Sequence, residues 1–171
     1  RSVRPLFPKN FRNEIQVIST VLSADQENLP DVLSMVGASA SLSISGAPFD
    51  GPIAACRLGY IDGELVVNPT YTQLKDSKLD LVISGTKDAV VMVEAGASEV
   101  SEALVLEAIE KGQTAIKDIV SMIEELKGSI EKPSFEYKDD DSHVDSPLET
   151  AVIEKLNKQD FVTIFEIKER E

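Results

Sequence analysis

The sequence has few of the residues that disulfide bonds and histidine chemistry require. Its 171 residues include one cysteine, one histidine and no tryptophan. A single cysteine, Cys56, excludes an internal disulfide and suits a reducing compartment. The single histidine, His143, lies among acidic residues, so we expect a solvated loop side chain there rather than a metal ligand. Catalysis by a histidine acid or base is therefore not expected.

Long apolar runs and an excess of positive charge are missing as well. No stretch of about twenty apolar residues, signal peptide or lipidation motif is recognisable, which predicts a cytoplasmic protein without membrane contact. The formal net charge of −13 leaves no broad basic face for nucleic acid, so any such contact must be local. Because the chain starts at Arg1 without methionine, we expect a fragment whose N-terminal part is missing.

The basic residues that are present cluster at the N-terminal end. Residues 1–16 contain one acid, Glu14, and four cations: Arg1, Arg4, Lys9 and Arg12. Arg1 and Arg4 are three positions apart, so a helical turn would place both on one side, where two guanidinium groups can clamp phosphate oxygens. A solvated chain end explains the same spacing, and ordinary surface charge is the simpler interpretation of Lys9 and Arg12.

Small residues dominate the segment 31–46, which carries almost no charge after Asp31. Its composition predicts a helix covered on several sides, ending at Gly46. The alternative interpretation is that Ser39 or Ser41 faces a ligand. Cys56 lies in an apolar run and is expected to be a small buried side chain rather than a nucleophile.

Alternating and β-branched residues predict a strand at 14–23. Four further strands are predicted at 53–61, 64–68, 79–84 and 89–94, with Asp62-Gly63 as a hairpin turn. A one-sided helix capped by Ser101 should run to Lys127 and lie across the sheet. The order β-α-β-β-β-β-α predicts an α+β layer domain.

The composition changes after residue 127. We predict one domain over 1–127, an acidic linker over 128–147 and the start of an all-helical domain over 148–171. A capping box at 146–149, with proline at the first helical position, begins the new helix. On spacing alone, a carboxylate metal site with Asp76 and Asp80 is an alternative interpretation.

Eight different short motifs lie along residues 1–127. They are RSVRPLFP (1–8), NEIQV (13–17), MVGAS (35–39), SGAPF (45–49), GPI (51–53), LGYI (58–61), NPT (68–70) and LKDSKLDLV (74–82). Together they resemble bacterial polynucleotide phosphorylases (polyribonucleotide nucleotidyltransferases), in the first of their two RNase PH-like domains. The resemblance implies an RNase PH-like fold whose N-terminal strands, second RNase PH-like domain and RNA-binding modules lie outside this chain.

The same resemblance implies an activity for the complete protein. The family degrades RNA from the 3′ end by phosphorolysis, which releases nucleoside diphosphates, and its domains form a trimeric ring around a pore. Inorganic phosphate and Mg²⁺ would act in the second domain, outside this chain. We therefore expect single-stranded RNA 3′ ends, two further copies and other RNA-degradation proteins as partners, with no cofactor held here.

The family's catalytic pattern can be laid on this chain. Its Asp, Asp and Lys positions fall on Leu74, Asp80 and Val82, and its phosphate-binding serines fall near Pro30 and Asp31. Two like charges about 4 Å apart repel by roughly 4 kcal/mol at an intermediate dielectric, so a carboxylate there disfavours phosphate. Proline also removes a backbone donor. The resemblance thus implies a non-catalytic domain.

What carries over from the family is its Arg-x-x-Arg-Pro motif, whose arginines line the RNA path near the pore. This implies that Arg1 and Arg4 position RNA phosphates without reading bases. A standalone, non-catalytic ring subunit of an exosome-like complex is the alternative. A generic α+β ligand-binding domain is a third hypothesis, which would require several motifs to coincide by chance.

Overall fold

The computed structural model describes residues 1–131 and 147–157. The chain divides into two compact units, Arg1–Tyr137 and Lys138–Glu171, which are described separately below. His143 and the acidic segment around it lie outside the described residues, as does the chain after residue 157. The predicted domain limits at 127 and 147 therefore stay predictions.

The described part of the first unit, residues 1–131, contains three helices and four strands in an α+β arrangement, which confirms the predicted fold class. After a 3₁₀ turn at Arg4–Leu6, the elements are α1 (Pro30–Ile44), β1 (Ala54–Ile61), β2 (Glu64–Val67), α2 (Tyr71–Lys75), β3 (Leu79–Gly85), β4 (Val90–Ala97) and α3 (Glu102–Ser129). Helix α3 begins as predicted, because the Ser101 side chain accepts the Leu104 N–H.

The four strands pair antiparallel in the order β2-β1-β3-β4. Asp62 and Gly63 connect β1 to β2 with φ values of 50° and 87°. Positive φ at both central residues matches the twist of a two-residue hairpin, and glycine adopts it without steric cost. The Asp-Gly signal in the sequence therefore identified this turn correctly.

One face of the sheet packs against α3 and forms the core. Alternate residues of β1 and β3 point to the helix, and α3 supplies a matching apolar stripe. The buried cluster consists of Ala54, Cys56, Leu58, Leu79, Leu81, Ile83, Ala108, Ile116 and Val120. Gly112 lets α3 approach closely, since a Cβ there would lie 2.8 Å from Leu58 Cδ2 and 3.1 Å from Cys56 Sγ.

The predicted strand at 14–23 is wrong for this chain, because these residues form no strand and stay exposed. Ile18 and Leu22 are 75% and 93% exposed. A β-branched run supplies side chains that suit a strand, but a strand also needs a neighbour whose backbone completes its hydrogen bonds. No described segment of this chain pairs with residues 14–23.

Helix α1 forms where the small residues predict it, and most of its length is at least half-buried. Ser39 and Ser43 are buried, and only Asp31, Leu33, Gly37 and Ser41 are exposed. Residues 33, 37 and 41 are spaced four apart, so they form one exposed strip along the helix. The helix contacts β1 and α3, and the predicted coverage on several sides is confirmed outside that strip.

The described part of the second unit is helix α4 (Pro147–Asn157), which confirms the predicted helix start. Its apolar residues, Leu148, Val152, Ile153 and Leu156, are all exposed. None of the described helices combines the length and the apolar character that crossing a membrane requires.

Gly112→Val tests the approach of α3 to the sheet. The added carbons meet buried β1 and β3 side chains, so we expect a loss of more than about 2 kcal/mol in the free energy of unfolding, measured by urea denaturation. Gly128→Val on the same helix is the matched control, because a Cβ there meets nothing within 4 Å. Equal effects at the two positions would contradict the close packing.

The alkylation rate of Cys56 shows whether the core between α3 and the sheet stays closed to solvent. Its side chain is fully buried, and burial raises the pKa of the Cys56 thiol from 9.0 to about 11. The thiolate is the reactive form, so alkylation near pH 8 should be at least about 100-fold slower than in the urea-unfolded chain. Labelling at the unfolded rate would show that the core opens readily.

Candidate functional site

The N-terminal turn is fastened to the sheet on the face opposite α3. The buried Ser2 hydroxyl accepts a hydrogen bond from Ser84 Oγ at 2.7 Å and lies 3.4 Å from Met92 Sδ. The Leu6 carbonyl accepts the Asp50 N–H at 2.8 Å. The turn therefore has anchors on β3, on β4 and before β1.

This anchored turn presents Arg1 and Arg4 to one cavity of about 700 Å³. Lys9 lines the same cavity, whereas Arg12 does not, and no carboxylate is among its lining residues. Within the described ranges, none of these cations forms an ion pair. Arg1 and Arg4 therefore line one cavity, although Arg1 lies outside the 3₁₀ turn, and their role toward RNA stays a prediction.

Aromatic rings form part of the wall of this cavity. Phe7 stacks on Phe11 with ring centroids 5.6 Å apart, and it meets Phe49 at 5.5 Å in a tilted arrangement. Phe7 and Phe11 both line the cavity. The arrangement combines three cations with an apolar wall, which is chemistry suited to a phosphate-bearing chain.

A second cavity, of about 460 Å³, opens on the same face of the sheet. The strand register places Arg57 of β1 opposite Val82 of β3, and Val82 opposite Glu94 of β4. Directly opposed residues share a face, so these three side chains form a row across the sheet. Asp31 and Asp80 complete the polar lining.

Arg57 is held by two carboxylates in this cavity. Its Nη2 lies 2.6 Å from Asp31 Oδ2, and its Nη1 lies 2.5 Å from Asp80 Oδ1. Partial burial of the guanidinium opposes its charge, but the two carboxylates outweigh this effect and raise the pKa of Arg57. The Nε atom is buried and finds no hydrogen-bond partner among the described residues.

The positions mapped from the family pattern separate in the structure. Asp80 and Val82 line this second cavity together with Asp31, while Leu74 lies on the short helix α2. Asp31 occupies the first turn of α1 directly after Pro30. When the family pattern is laid on this chain, Pro30 and Asp31 therefore stand near its phosphate-binding serines, and Val82 stands at its lysine position.

Sequence reasoning did not identify Arg57. The available signal was a single charged residue inside the otherwise apolar strand β1, AACRLGYI. Such a residue needs a charged partner when it is partly buried. Its partners lie 26 positions before it and 23 positions after it, so only the fold reveals them.

The remaining candidates have structural explanations. Ser39 Oγ is buried and accepts the Ile53 N–H at 2.9 Å, and Ser41 is exposed on α1. Asp76 follows the end of α2, where its N–H is bonded to helix carbonyls. No group of three or more His, Cys, Asp or Glu suited to a metal occurs in the part of the chain that the structure describes.

Comparisons with known proteins agree with the fold. Residues 51–115 match the 3′ exoribonuclease family, domain 2. The crystal structure of rice (Oryza sativa) Rrp46 has a TM-score of 0.50 and 17% identity, with 60% of this chain and 48% of that chain covered. At that identity the likeness concerns the fold alone.

Named relatives are much closer in sequence. The polyribonucleotide nucleotidyltransferase of Thermomicrobium roseum is 55% identical over 137 residues, which is 80% of this chain and 17% of that protein. The enzyme of the same name from Halothermothrix orenii is 44% identical, with 99% of this chain and 25% of that protein covered. The chain thus spans a quarter or less of these relatives, and it is homologous to one segment of the polyribonucleotide nucleotidyltransferases.

Proposed function

We propose that this chain is part of a polyribonucleotide nucleotidyltransferase that degrades RNA from 3′ to 5′ by phosphorolysis, releasing nucleoside diphosphates. The identity of 44–55% to relatives of that name carries the proposal. Within such an enzyme, this portion is the first RNase PH-like half, acts in the cytoplasm and contributes to a homotrimeric ring.

This half is non-catalytic in our proposal. The cavity that contains Asp80 and Val82 has its guanidinium engaged by carboxylates, so it offers phosphate no free cation. It also lacks the lysine that the family pattern requires near Val82. Inorganic phosphate and Mg²⁺ would be held by the other half of the complete protein.

RNA guidance is the positive role that the geometry supports best. Arg1, Arg4 and Lys9 converge on one cavity without forming ion pairs in the described ranges. The chain as a whole has a net charge of −13, so its remaining surface repels RNA and this turn becomes the local point of attraction. Contacts of this kind position phosphates and do not select a sequence.

The alternative is a standalone, non-catalytic ring subunit of an exosome-like complex. The likeness to Rrp46 concerns the fold alone and does not separate the two proposals. The high identities favour the first. A second RNase PH-like domain downstream in the same reading frame would support the first proposal, and its absence would support the alternative.

The isolated 171-residue chain should release no nucleoside diphosphates from single-stranded RNA in the presence of phosphate and Mg²⁺. Product formation can be followed by ion-exchange chromatography, with the complete protein as the positive control. Steady turnover by the isolated chain would refute the non-catalytic assignment.

Replacement of both Arg1 and Arg4 by alanine in the complete protein should weaken binding of single-stranded RNA, most clearly at low salt. Loss of two phosphate contacts should reduce the slope of log K against log salt by about 1.4. Arg12→Ala is the matched control, because Arg12 is exposed and outside the cavity. An unchanged slope for the double variant would show that the pair does not contact phosphates.

A further inference from the structure

Asp31 is bound in its cavity in the manner of an anionic ligand. Its Oδ1 accepts the Val32 N–H in the first turn of α1 at 2.8 Å, and its Oδ2 accepts Arg57 Nη2 at 2.6 Å. Backbone N–H groups at a helix start and a guanidinium are the two donors that bind free anions most readily. Here a side chain of the same protein takes both.

Asp80 takes the other end of the same guanidinium. Arg57 Nη1 lies 2.5 Å from Asp80 Oδ1, so both outer nitrogens of the fork face internal carboxylates. The Arg57 side chain is only 14% exposed, whereas Asp31 and Asp80 are 49% and 48% exposed. The cation is therefore fixed in the wall, and the carboxylates stand between it and solvent.

The space beside this ion-pair cluster (Asp31, Arg57 and Asp80) is large enough for a ligand. The cavity measures about 460 Å³, which exceeds the volume of a single water, ~30 Å³, many times over. Glu94 adds a third carboxylate to the lining. The cavity thus has the donors and the room for an oxyanion. Its lining, however, carries three carboxylates and one guanidinium, so its net charge is negative and repels an anion.

We propose that Asp31 and Asp80 are autoinhibitory contacts that occupy Arg57 in place of inorganic phosphate. The cluster closes a latent phosphate site. Neutralising Asp31 frees Arg57 Nη2 and opens the site in part, and neutralising Asp80 as well frees Nη1. This inference deepens the proposed non-catalytic role. It rests on the geometry of the cavity, however, and its test measures phosphate binding rather than RNA degradation, so the two proposals fail separately.

The cluster also has a mechanical consequence. Asp31 belongs to α1, Arg57 to β1 and Asp80 to β3, so one guanidinium ties the start of a helix to two strands. Removing both partners leaves a partly buried cation uncompensated, which lowers stability. A bound phosphate would restore the lost compensation, so phosphate should raise the melting temperature of the altered protein.

The test compares the wild-type chain with the Asp31→Asn, Asp80→Asn double variant in a titration of inorganic phosphate, against sodium chloride at equal ionic strength. Asparagine keeps the shape of each side chain and removes its charge. The double variant should melt lower without phosphate and show a saturable rise of roughly 5 °C at about ten times the dissociation constant. Calorimetry should give at least about tenfold tighter phosphate binding than in the wild type.

Two controls connect the effect to the cluster. Asp88→Asn with Asp118→Asn removes the same charge at exposed positions outside the cavity and should leave phosphate binding at the wild-type level. Adding Arg57→Met to the Asp31, Asp80 double variant should abolish the gain. Saturable phosphate binding by the wild type, or a gain that persists without Arg57, would overturn the proposal.

The folding of the double variant is itself informative. A variant that folds only when phosphate is added supports the latent site. If it stays unfolded with and without phosphate, the single variant Asp31→Asn decides the question by the same titration, because Asp80 still pairs with Arg57 there. A single variant that folds and shows no gain over the wild type would overturn the proposal.

Discussion

The close packing of α3 on one face of the sheet is the constraint on which the rest of the first unit depends. Gly112 brings the helix backbone against Leu58 and Cys56, and the apolar side chains of β1 and β3 fill the space around it. Because strand side chains alternate, committing one set of residues to this core sends the intervening set to the opposite face. That second face carries both candidate sites.

The two sites use arginine in opposite ways. Arg57 is anchored in the sheet and neutralised by carboxylates from α1 and β3, so its charge serves the fold. Arg1 and Arg4 are exposed on an anchored turn without ion pairs in the described residues, so their charge is available to a ligand. In a strongly acidic chain this difference decides where a phosphate-bearing partner can approach. The arrangement is consistent with the proposed role of this segment in guiding RNA.

Local signals in the sequence predicted most of the elements, because each such signal has a physical cause within a few residues. The Asp-Gly turn supplies positive φ, Ser101 satisfies a first-turn N–H, and the one-sided apolar spacing of α3 buries against the sheet. The strand expected at 14–23 failed for the opposite reason. Its residues suit a strand, but the partner backbone that would complete it is not among the described residues.

The sequence by itself determined the α+β class, the hairpin and the burial of Cys56. Those features depend on periodicity, turn chemistry and short spacing, which are readable along the chain. Only the tertiary structure decided that Arg57 meets Asp31 and Asp80 and that Glu94 lines the same cavity. These contacts join residues that are distant in sequence, and strand register and helix packing alone bring them together.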